Sequence, residues 1–497
     1  MPENAPRPAA RRAHGALAVV HVLGLVVMIF SATLLVPLAV ALLYRDPALP
    51  AYDRALLVTF GSGAALWAAT RRARRELQIR DGFLLVTLVW AVLPAFAALP
   101  LLLYLPQLSF TDAYFEAMSG LTTTGATVLS GLDELPPSIH IWRAFLQWLG
   151  GMGIIVLAVA VLPVLGVGGR QLFKAETPGP IKDTQLTPRI TETAKGLWGV
   201  YCVITGACVL AYWAAGMSPL DAVTHAFTTL SLGGFSTHDA SYAYFDSPLI
   251  ESVTLVFMVI AAINFSTHYV ALRRHAFGPY RDDPEAGWLL LLVFATSVLI
   301  ALYLWAHGVY ADFGTALRHA AFNTVSIATT TGYASVDFGE WPLFAPMAML
   351  LLCCFVSSSG STGGGIKLVR ARLLFLQGLR EMVKLLHPQA QAPVKLGGRV
   401  IPNQIVFAVL AFMSLWGASV TAMTLLLLGT GLDFPTSFTA VIACITNTGP
   451  GLGEVGPATT YASLSDLQTW ILAAAMLLGR LELFTVLVLF TPAFWRS

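Results

Sequence analysis

Four times along this chain a short run of small and hydroxyl residues ends in a glycine, and each run lies between long apolar segments. The glycines are Gly125, Gly234, Gly332 and Gly449, spaced 109, 98 and 117 residues apart. Aligned on them, the runs read LTTTG, LSLGG, ATTTG and ITNTG. Three positions before each glycine stands a hydroxyl (Thr122, Ser231, Thr329, Thr446), and twelve before it a small residue (Ala113, Ala222, Ala320, Ser437). Self-similarity at a long period marks a repeated structural unit. Four copies of a membrane hairpin with a hydroxyl- and glycine-rich tip predict an ion pore with fourfold pseudosymmetry.

Apolar residues make up 56% of the 497 and charged residues 11%, with a mean hydropathy of +0.72, which places the chain in the polytopic membrane class. Ten stretches are long enough to cross a hydrocarbon core, which takes about 20 apolar residues. They are roughly 15–44, 53–70, 82–104, 141–168, 195–216, 248–272, 287–309, 343–380, 403–429 and 468–492. The first is too long for a signal-peptide core and is expected to span. Cys202, Cys208, Cys353, Cys354 and Cys444 all lie in apolar segments without metal-ligand spacing and read as buried thiols. The longest polar stretches, about 169–194 and 381–402, read as loops.

Charge placement sets the expected orientation. With ten spans and the N-terminus inside, 24 of the 29 Lys and Arg fall on the cytoplasmic side. Among them are Arg7, Arg11 and Arg12, the cluster Arg71, Arg72, Arg74 and Arg75, and Lys367, Arg370 and Arg372. Arg45, Arg54, Arg143 and Arg318 face out, and Arg480 lies within a span. This is the positive-inside bias, and it puts both termini in the cytoplasm. Acidic residues lean the other way, so the outer face nets −12 and the inner face +14. An acidic vestibule concentrates cations, which makes a cation the expected transported species.

Between the paired spans lie 110–121, 219–231, 314–328 and 434–445, each too short to cross and suited to a re-entrant half-helix. Asp112, Asp221 and Thr436 stand where an N-cap is expected, with the weaker His319 in the third repeat. Entering from outside, each half-helix points its partially negative C-terminal end at the membrane centre. The tip that follows must be extended backbone, tolerated at that depth only where protein buries it or it lines a wet cavity. Rings of its carbonyls can replace the hydration shell of a potassium ion, and the tips hold no carboxylate that would make a ring of acids. One tip alone would read as a Gly/Thr-rich loop or a helix-packing motif; four in register favour the pore. The expected fold is an all-α polytopic membrane protein with four tandem M1–pore-helix–M2 repeats around one pore. The repeats are 82–170, 171–280, 281–400 and 401–497, and two additional transmembrane helices precede them in 1–81.

WRAFLQWLGGMGI (Trp142 to Ile154), ETPGPIKDTQLTPRITETAKGLW (Glu176 to Trp198), FNTVSIATTTGY (Phe322 to Tyr333), GSTGGGIK (Gly360 to Lys367), TNTGPGLGEVGP (Thr446 to Pro457) and MLLGRLELFT (Met476 to Thr485) resemble the Trk/Ktr/HKT potassium-transporter superfamily. The resemblance covers nearly the whole length, and the two extra N-terminal helices bring it closest to the bacterial TrkH-like branch. It implies that potassium is coordinated by Thr123, Thr124 and Gly125; Leu232, Gly233 and Gly234; Thr330, Thr331 and Gly332; and Asn447, Thr448 and Gly449. Leu232 departs from the polar pattern and is expected to pack behind the filter while its carbonyl serves. In the plant branch a serine at the first glycine goes with sodium preference, so Gly125 favours potassium.

Two features read as gate candidates. Span 343–380 is interrupted by SSSGSTGGG, Ser357 to Gly365. A helix from Pro342 to Val356 would cover only about 21 Å of a ~30 Å core, so the break falls inside the membrane. The resemblance makes this loop a gate, with Ser357, Gly360, Gly363, Gly364, Gly365 and Lys367 in it; otherwise it is a helix end reaching the surface early. Arg480, mid-span, costs at least ~2.5 kcal/mol to insert. Glu482 lies two residues on and off its helix face. The resemblance places Arg480 in the pore as a positive barrier; the alternative is an ion pair with a carboxylate on another helix. GLGEVG (Gly451 to Gly456) lacks the strand and helix of a dinucleotide site. Of the histidines, His268 is the candidate to line the pore, or else a satisfied interior residue.

The expectation is a channel-like potassium uptake protein of the inner membrane and not an enzyme, with potassium as its bound ion, no organic cofactor and no nucleic acid. Membrane lipid surrounds it. The resemblance implies a homodimer with a cytosolic ring of nucleotide-binding, TrkA-like regulatory subunits, and the basic stretch Arg370 to Arg399 suits such docking. One rival is a proton- or sodium-coupled transporter, which would use mid-membrane carboxylates on broken helices, with Glu482 as candidate. Another is a membrane enzyme, which would need a convergent cluster around a residue such as His225 or His268.

Overall fold

The computed structural model describes residues 8–72, 77–153 and 190–496. Among these, the extended structure is a two-residue antiparallel ladder, Lys395–Leu396 with Arg399–Val400; the rest is helix and connecting chain. Among the described residues, five helical stretches are long and apolar enough to cross a bilayer unaided: Leu17–Tyr44, Arg80–Tyr104, Ala194–Ala214, Ala286–Ala306 and Asn403–Gly429. Residues 154–168 of the fourth expected span, and 176–189 of the second motif, lie outside the described residues, as do Arg7, Arg74 and Arg75.

Three expected spans are broken. Stretch 248–272 is Pro248–Ala262 followed by Phe265–Arg274 at 96°, and 468–492 is Asp466–Arg480 followed by Phe484–Phe490 at 108°. In the first, Asn264 caps the second helix by accepting from the Ser266 N–H at 2.8 Å. In the second, Glu482 and Leu483 turn the chain with φ of 54° and 50°. Stretch 343–380 divides into Phe344–Cys353 and Leu368–Leu386 around the serine- and glycine-rich loop. Segment 381–402 is not wholly loop, since the helix runs on to Leu386 and the short ladder closes near its end. The third break is the one expected at Ser357 to Gly365, whereas averaged hydropathy does not register the bends at 263–264 and 481–483.

The half-helices are Phe110–Leu121, Pro219–Leu230, Phe313–Ala328 and Phe434–Ile445. Their caps lie earlier than Asp112, Asp221, Thr436 and His319. Ser109, Ser218, Asp312 and Asp433 hold extended backbone at the helix entry and accept from N–H groups three residues on, at 3.1, 3.1, 2.8 and 3.2 Å. That is the geometry an N-cap requires, and His319 sits inside a third helix that starts a turn sooner.

Each half-helix packs against the inner helix of the preceding repeat. Pro219–Leu230 lies on Pro137–Gly151, Phe313–Ala328 on Pro248–Ala262, Phe434–Ile445 on Phe344–Cys353, and Phe110–Leu121 on Asp466–Arg480. The last of these closes the first repeat onto the fourth, so the four tips surround one axis. The N-terminal pair packs alongside: Pro8–Ser31 crosses Leu49–Ala69 where Gly24 meets Gly63, and a Cβ built on Gly63 would lie 2.8 Å from the Gly24 carbonyl oxygen. Small residues permit such backbone approach in a membrane, where packing rather than water drives association. Asp46, between the two helices, accepts from the Ser138 N–H at 3.0 Å and ties the pair to the first repeat.

Overpacking a close crossing costs about 1–3 kcal/mol. Gly63→Leu is therefore expected to lower the thermal unfolding midpoint in detergent by several degrees, whereas Gly61→Leu, whose Cβ would meet nothing within 4 Å, leaves it unchanged.

Candidate functional site

The four half-helices stop in the same way. After the C-caps Thr122, Ser231, Thr329 and Thr446, the next residue turns left-handed: Thr123 at φ 56°, Leu232 at 52°, Thr330 at 62° and Asn447 at 56°. The N–H of the following residue then bonds back five positions, at 2.8 Å in every repeat (Thr124 to Ser119, Gly233 to Thr228, Thr331 to Ser326, Thr448 to Ala443). This is a Schellman-type helix stop. Two of its left-handed residues are β-branched threonines, a conformation that costs energy and persists only where surrounding structure imposes it.

Each stop leads to a repeat glycine, with φ of 83°, 80°, 89° and 97° at Gly125, Gly234, Gly332 and Gly449. These glycines face their neighbours in a cycle. A Cβ added to Gly125 would fall within 3.0 Å of the Gly233 carbonyl oxygen, one on Gly234 against Thr331 O, one on Gly332 against Thr448 O, and one on Gly449 against Thr124 O. The structure thus brings all twelve expected tip residues into one closed ring of backbone. Behind it, hydroxyl pairs brace three tips: Thr122 with Thr124 at 2.7 Å, Thr329 with Thr331 at 2.8 Å, and Thr446 with Thr448 at 2.8 Å. Leu232 is fully buried, in an apolar cluster that includes Val356 and Leu368.

On one side of the ring a buried ion pair holds the chain that leaves the first two tips. Arg143 Nε donates to Glu116 at 2.8 Å, and its guanidinium also reaches the Ser236 carbonyl at 3.0 Å and stacks on Phe235. Glu116 accepts from the Val128 N–H and the Thr127 hydroxyl. Further out, His238 bridges Asp133, at 2.5 Å, and Asp221, at 3.5 Å, while stacking on Tyr244. Burial opposes its charge, but the hydrogen bonds to Asp221 and Asp133 outweigh burial and hold the imidazole above its ordinary value.

On the opposite side the loop Ser357–Gly365 lies directly beneath the ring. The Thr362 hydroxyl donates to the Leu230 carbonyl at 2.9 Å, and the Gly364 N–H donates to the Thr330 hydroxyl at 2.9 Å. Arg480 donates to the Thr123 hydroxyl and the Thr362 carbonyl, both at 3.1 Å, and to the carbonyls of Gly150 and Gly151. It therefore joins the first tip to the loop. It ends its helix at the break in the middle of the span, and the helix dipole favours a cation there. Lys367 closes the loop on itself through the Ser357 hydroxyl and the Gly363 carbonyl. The bend at Ile263–Asn264 supplies the loop's anchors, with Ser358 N–H on the Ala262 carbonyl at 3.2 Å and Phe265 N–H on the Gly360 carbonyl at 3.0 Å.

Several residues in this layer were not legible as site residues. Buried Glu285 accepts from the N–H groups of Ser359 and Val369, at 3.2 and 2.9 Å, and so staples both arms of the loop. Glu482 pairs with Arg370, which also lies over Phe412. Arg370 is consequently buried within the fold and does not offer the docking charge expected of it. His268 uses both ring nitrogens internally, on the Tyr280 hydroxyl at 2.9 Å and the Ile260 carbonyl at 2.8 Å. It is a satisfied interior histidine, as is His225, bonded to the Asp221 carbonyl and the Ser236 hydroxyl. Among the described residues no group of three or more His, Cys, Asp and Glu could hold a metal ion.

The TrkH family model, a cation transport protein, matches residues 50–497. The chain is 48% identical over 482 residues to the Trk system potassium uptake protein TrkH of Vibrio parahaemolyticus, covering 96% of this chain and 99% of the relative. It is 47% identical over 481 residues to the protein of the same name from Escherichia coli K12, covering 97% and 99%. The chain belongs to the TrkH family. The crystal structure of the potassium transporter TrkH from Vibrio parahaemolyticus matches it with a TM-score of 0.87 and 45% identity, over 97% of this chain and 99% of that one. Like its TrkH relatives it is a multi-pass inner-membrane transport protein and not an enzyme.

The raised His238 gives this TrkH-family fold a pH signature. The bridge contributes stability that is fully present below the ordinary histidine value of about 6.5 and is lost as pH rises through the higher folded value. Unfolding midpoints of the detergent-solubilised protein are expected to fall between pH 6 and 9, and to fall less in His238→Gln.

Proposed function

We propose that this protein takes potassium into the cell through a channel-like pore in which the ring of tip carbonyls selects the ion. The carrying observation is the closed cycle in which each repeat glycine abuts a carbonyl of the next repeat. Carbonyls so arranged can substitute for the water around a monovalent cation. The backbone of Thr123 to Gly125, Leu232 to Gly234, Thr330 to Gly332 and Asn447 to Gly449 forms this potassium-binding selectivity filter. The C-terminal ends of four half-helices converge there and add partial negative charge that favours a cation without binding it permanently. Support also comes from relatives whose names specify potassium uptake.

The loop Ser357–Gly365 with Lys367 and Arg480 is the gate. It is held shut by short-range contacts to the filter's underside, through Thr362, Gly364 and Arg480. Arg480 adds a positive barrier where the ion must pass. The loop continues into the helix Leu368–Leu386, through which a cytosolic nucleotide-binding subunit of the TrkA-like kind can pull on it; the working unit is a homodimer in membrane lipid. Glu482, the carboxylate a coupled symporter would use, is engaged with Arg370, which supports a pore over proton or sodium symport.

Voltage clamp of the reconstituted protein tests the pore. The reversal potential should follow the potassium Nernst value; a shift with pH or with sodium would indicate coupling instead. Gly125→Ser places a Cβ on a left-handed residue and against Gly233 O, and is expected to cut rescue of a potassium-uptake-deficient bacterium about tenfold or more. Arg480→Ala should raise potassium flux several-fold through loss of the barrier and of the clamp on the loop, read as tracer uptake into vesicles.

A further inference from the structure

The second tip lacks the brace the other three share. Where they carry Thr122/Thr124, Thr329/Thr331 and Thr446/Thr448, it has Ser231 and Gly233, so the second hydroxyl of the pair is missing. A side chain from the neighbouring repeat occupies the place. Gln147, fully buried on the helix Pro137–Gly151, donates from Nε2 to the Gly233 carbonyl at 2.6 Å and accepts from the Phe235 N–H at Oε1 at 3.2 Å. Only one orientation of the carboxamide satisfies both partners. A Cβ built on Gly233 would lie within 3.0 Å of that carboxamide. Gly233 does not have a positive φ, so its backbone makes no demand for glycine. Gln147 is what excludes a side chain there.

We propose that Gln147 is a positioning residue for the pore, fixing the Gly233 carbonyl and thereby tuning which monovalent cation the ring prefers. The assignment rests on the tips being the ion path. Gly233 O is the carbonyl that Gly125 abuts, so it belongs to the ring. A carbonyl oxygen has two lone pairs, and one of this oxygen's is directed at the amide of Gln147. What remains for an ion is a weaker and more rigidly aimed field than at the equivalent carbonyls of Thr124, Thr331 and Thr448. The second repeat thus makes the ring electrostatically unequal although its backbone is fourfold.

The test is bi-ionic reversal potentials for potassium against sodium and rubidium, on reconstituted full-length protein. Four forms are compared: wild type, Gln147→Ala, Gly233→Thr, and Gln147→Ala/Gly233→Thr. Loss of one such hydrogen bond is expected to change the potassium-to-sodium ratio of Gln147→Ala about threefold or more. Gly233→Thr alone, colliding with the carboxamide, is expected to lose uptake. The double variant should recover both uptake and ratio, since the introduced threonine hydroxyl can then pair with Ser231 as Thr124 pairs with Thr122. An unchanged ratio in Gln147→Ala, or a double variant no better than either single one, overturns the proposal. If Gln147→Ala does not fold, Gln147→Met, similar in volume and without either hydrogen bond, reads the same ratio. Gly332→Ala separates the two levels of inference. If it alters the ratio while Gln147 variants do not, only the role of Gln147 falls; if neither does, the tips are not the ion path.

Discussion

A backbone carbonyl inside a bilayer must find a partner, and this structure is organised around helix-end carbonyls that find theirs partly in their own repeat and partly in a neighbouring one. Half-helices of about a dozen residues end at the membrane's interior, where the last turn of a helix leaves carbonyls unpaired. Part of that deficit is met within each repeat, by the stop that bonds back five residues. At the second half-helix the Thr362 hydroxyl meets the Leu230 carbonyl from another repeat, and Arg480 does the same for the inner-helix carbonyls of Gly150 and Gly151. Hydroxyl pairs brace the backbone of three tips from behind, and the tip carbonyls of Gly233 and Gly449 accept from Gln147 and Tyr461.

The same constraint explains why the inner helices break. The first ends at Gly151, the second bends at Ile263–Asn264, the third opens into the loop after Cys353, and the fourth turns at Leu481–Leu483. All four interruptions lie below the tips, and each exposes main-chain groups at membrane depth. Ala262 and Phe265 give theirs to the loop, while Glu285 collects the N–H groups of Ser359 and Val369. The loop is thus not a slack connection but a hub bonded to the later three repeats and, through Arg480, to the first.

Periodicity and punctuation made the half-helices legible almost to the residue, because a short apolar run between a capping residue and a Gly-rich tip has few other solutions. Residues Ser357 to Gly365 were legible for the same reason, since nothing in them supports a helix. The caps at Ser109, Ser218 and Asp433 were missed by a turn and Asp312 by two: a capping residue followed three positions on by Asp or Thr offers two caps, and only the backbone says which one enters the helix. The bends at 263–264 and 481–483 were missed because hydropathy averages over them. Glu116, Gln147, Glu285 and Arg370 were missed as site residues because each acts on a segment tens to more than a hundred residues away. Their importance lies in the partner, which no local window contains.

What the chain encodes locally is where helices start and stop, which tips are flexible enough to turn, and that there are four of them. Those are short-range properties, set by side-chain shape and by the cost of burying backbone. That the first repeat closes on the fourth, that each glycine meets its neighbour's carbonyl, and that Gln147 stands in for a missing hydroxyl were decided only by tertiary packing. Closure is a property of the whole ring, and the energy that enforces it appears only when all four units are present.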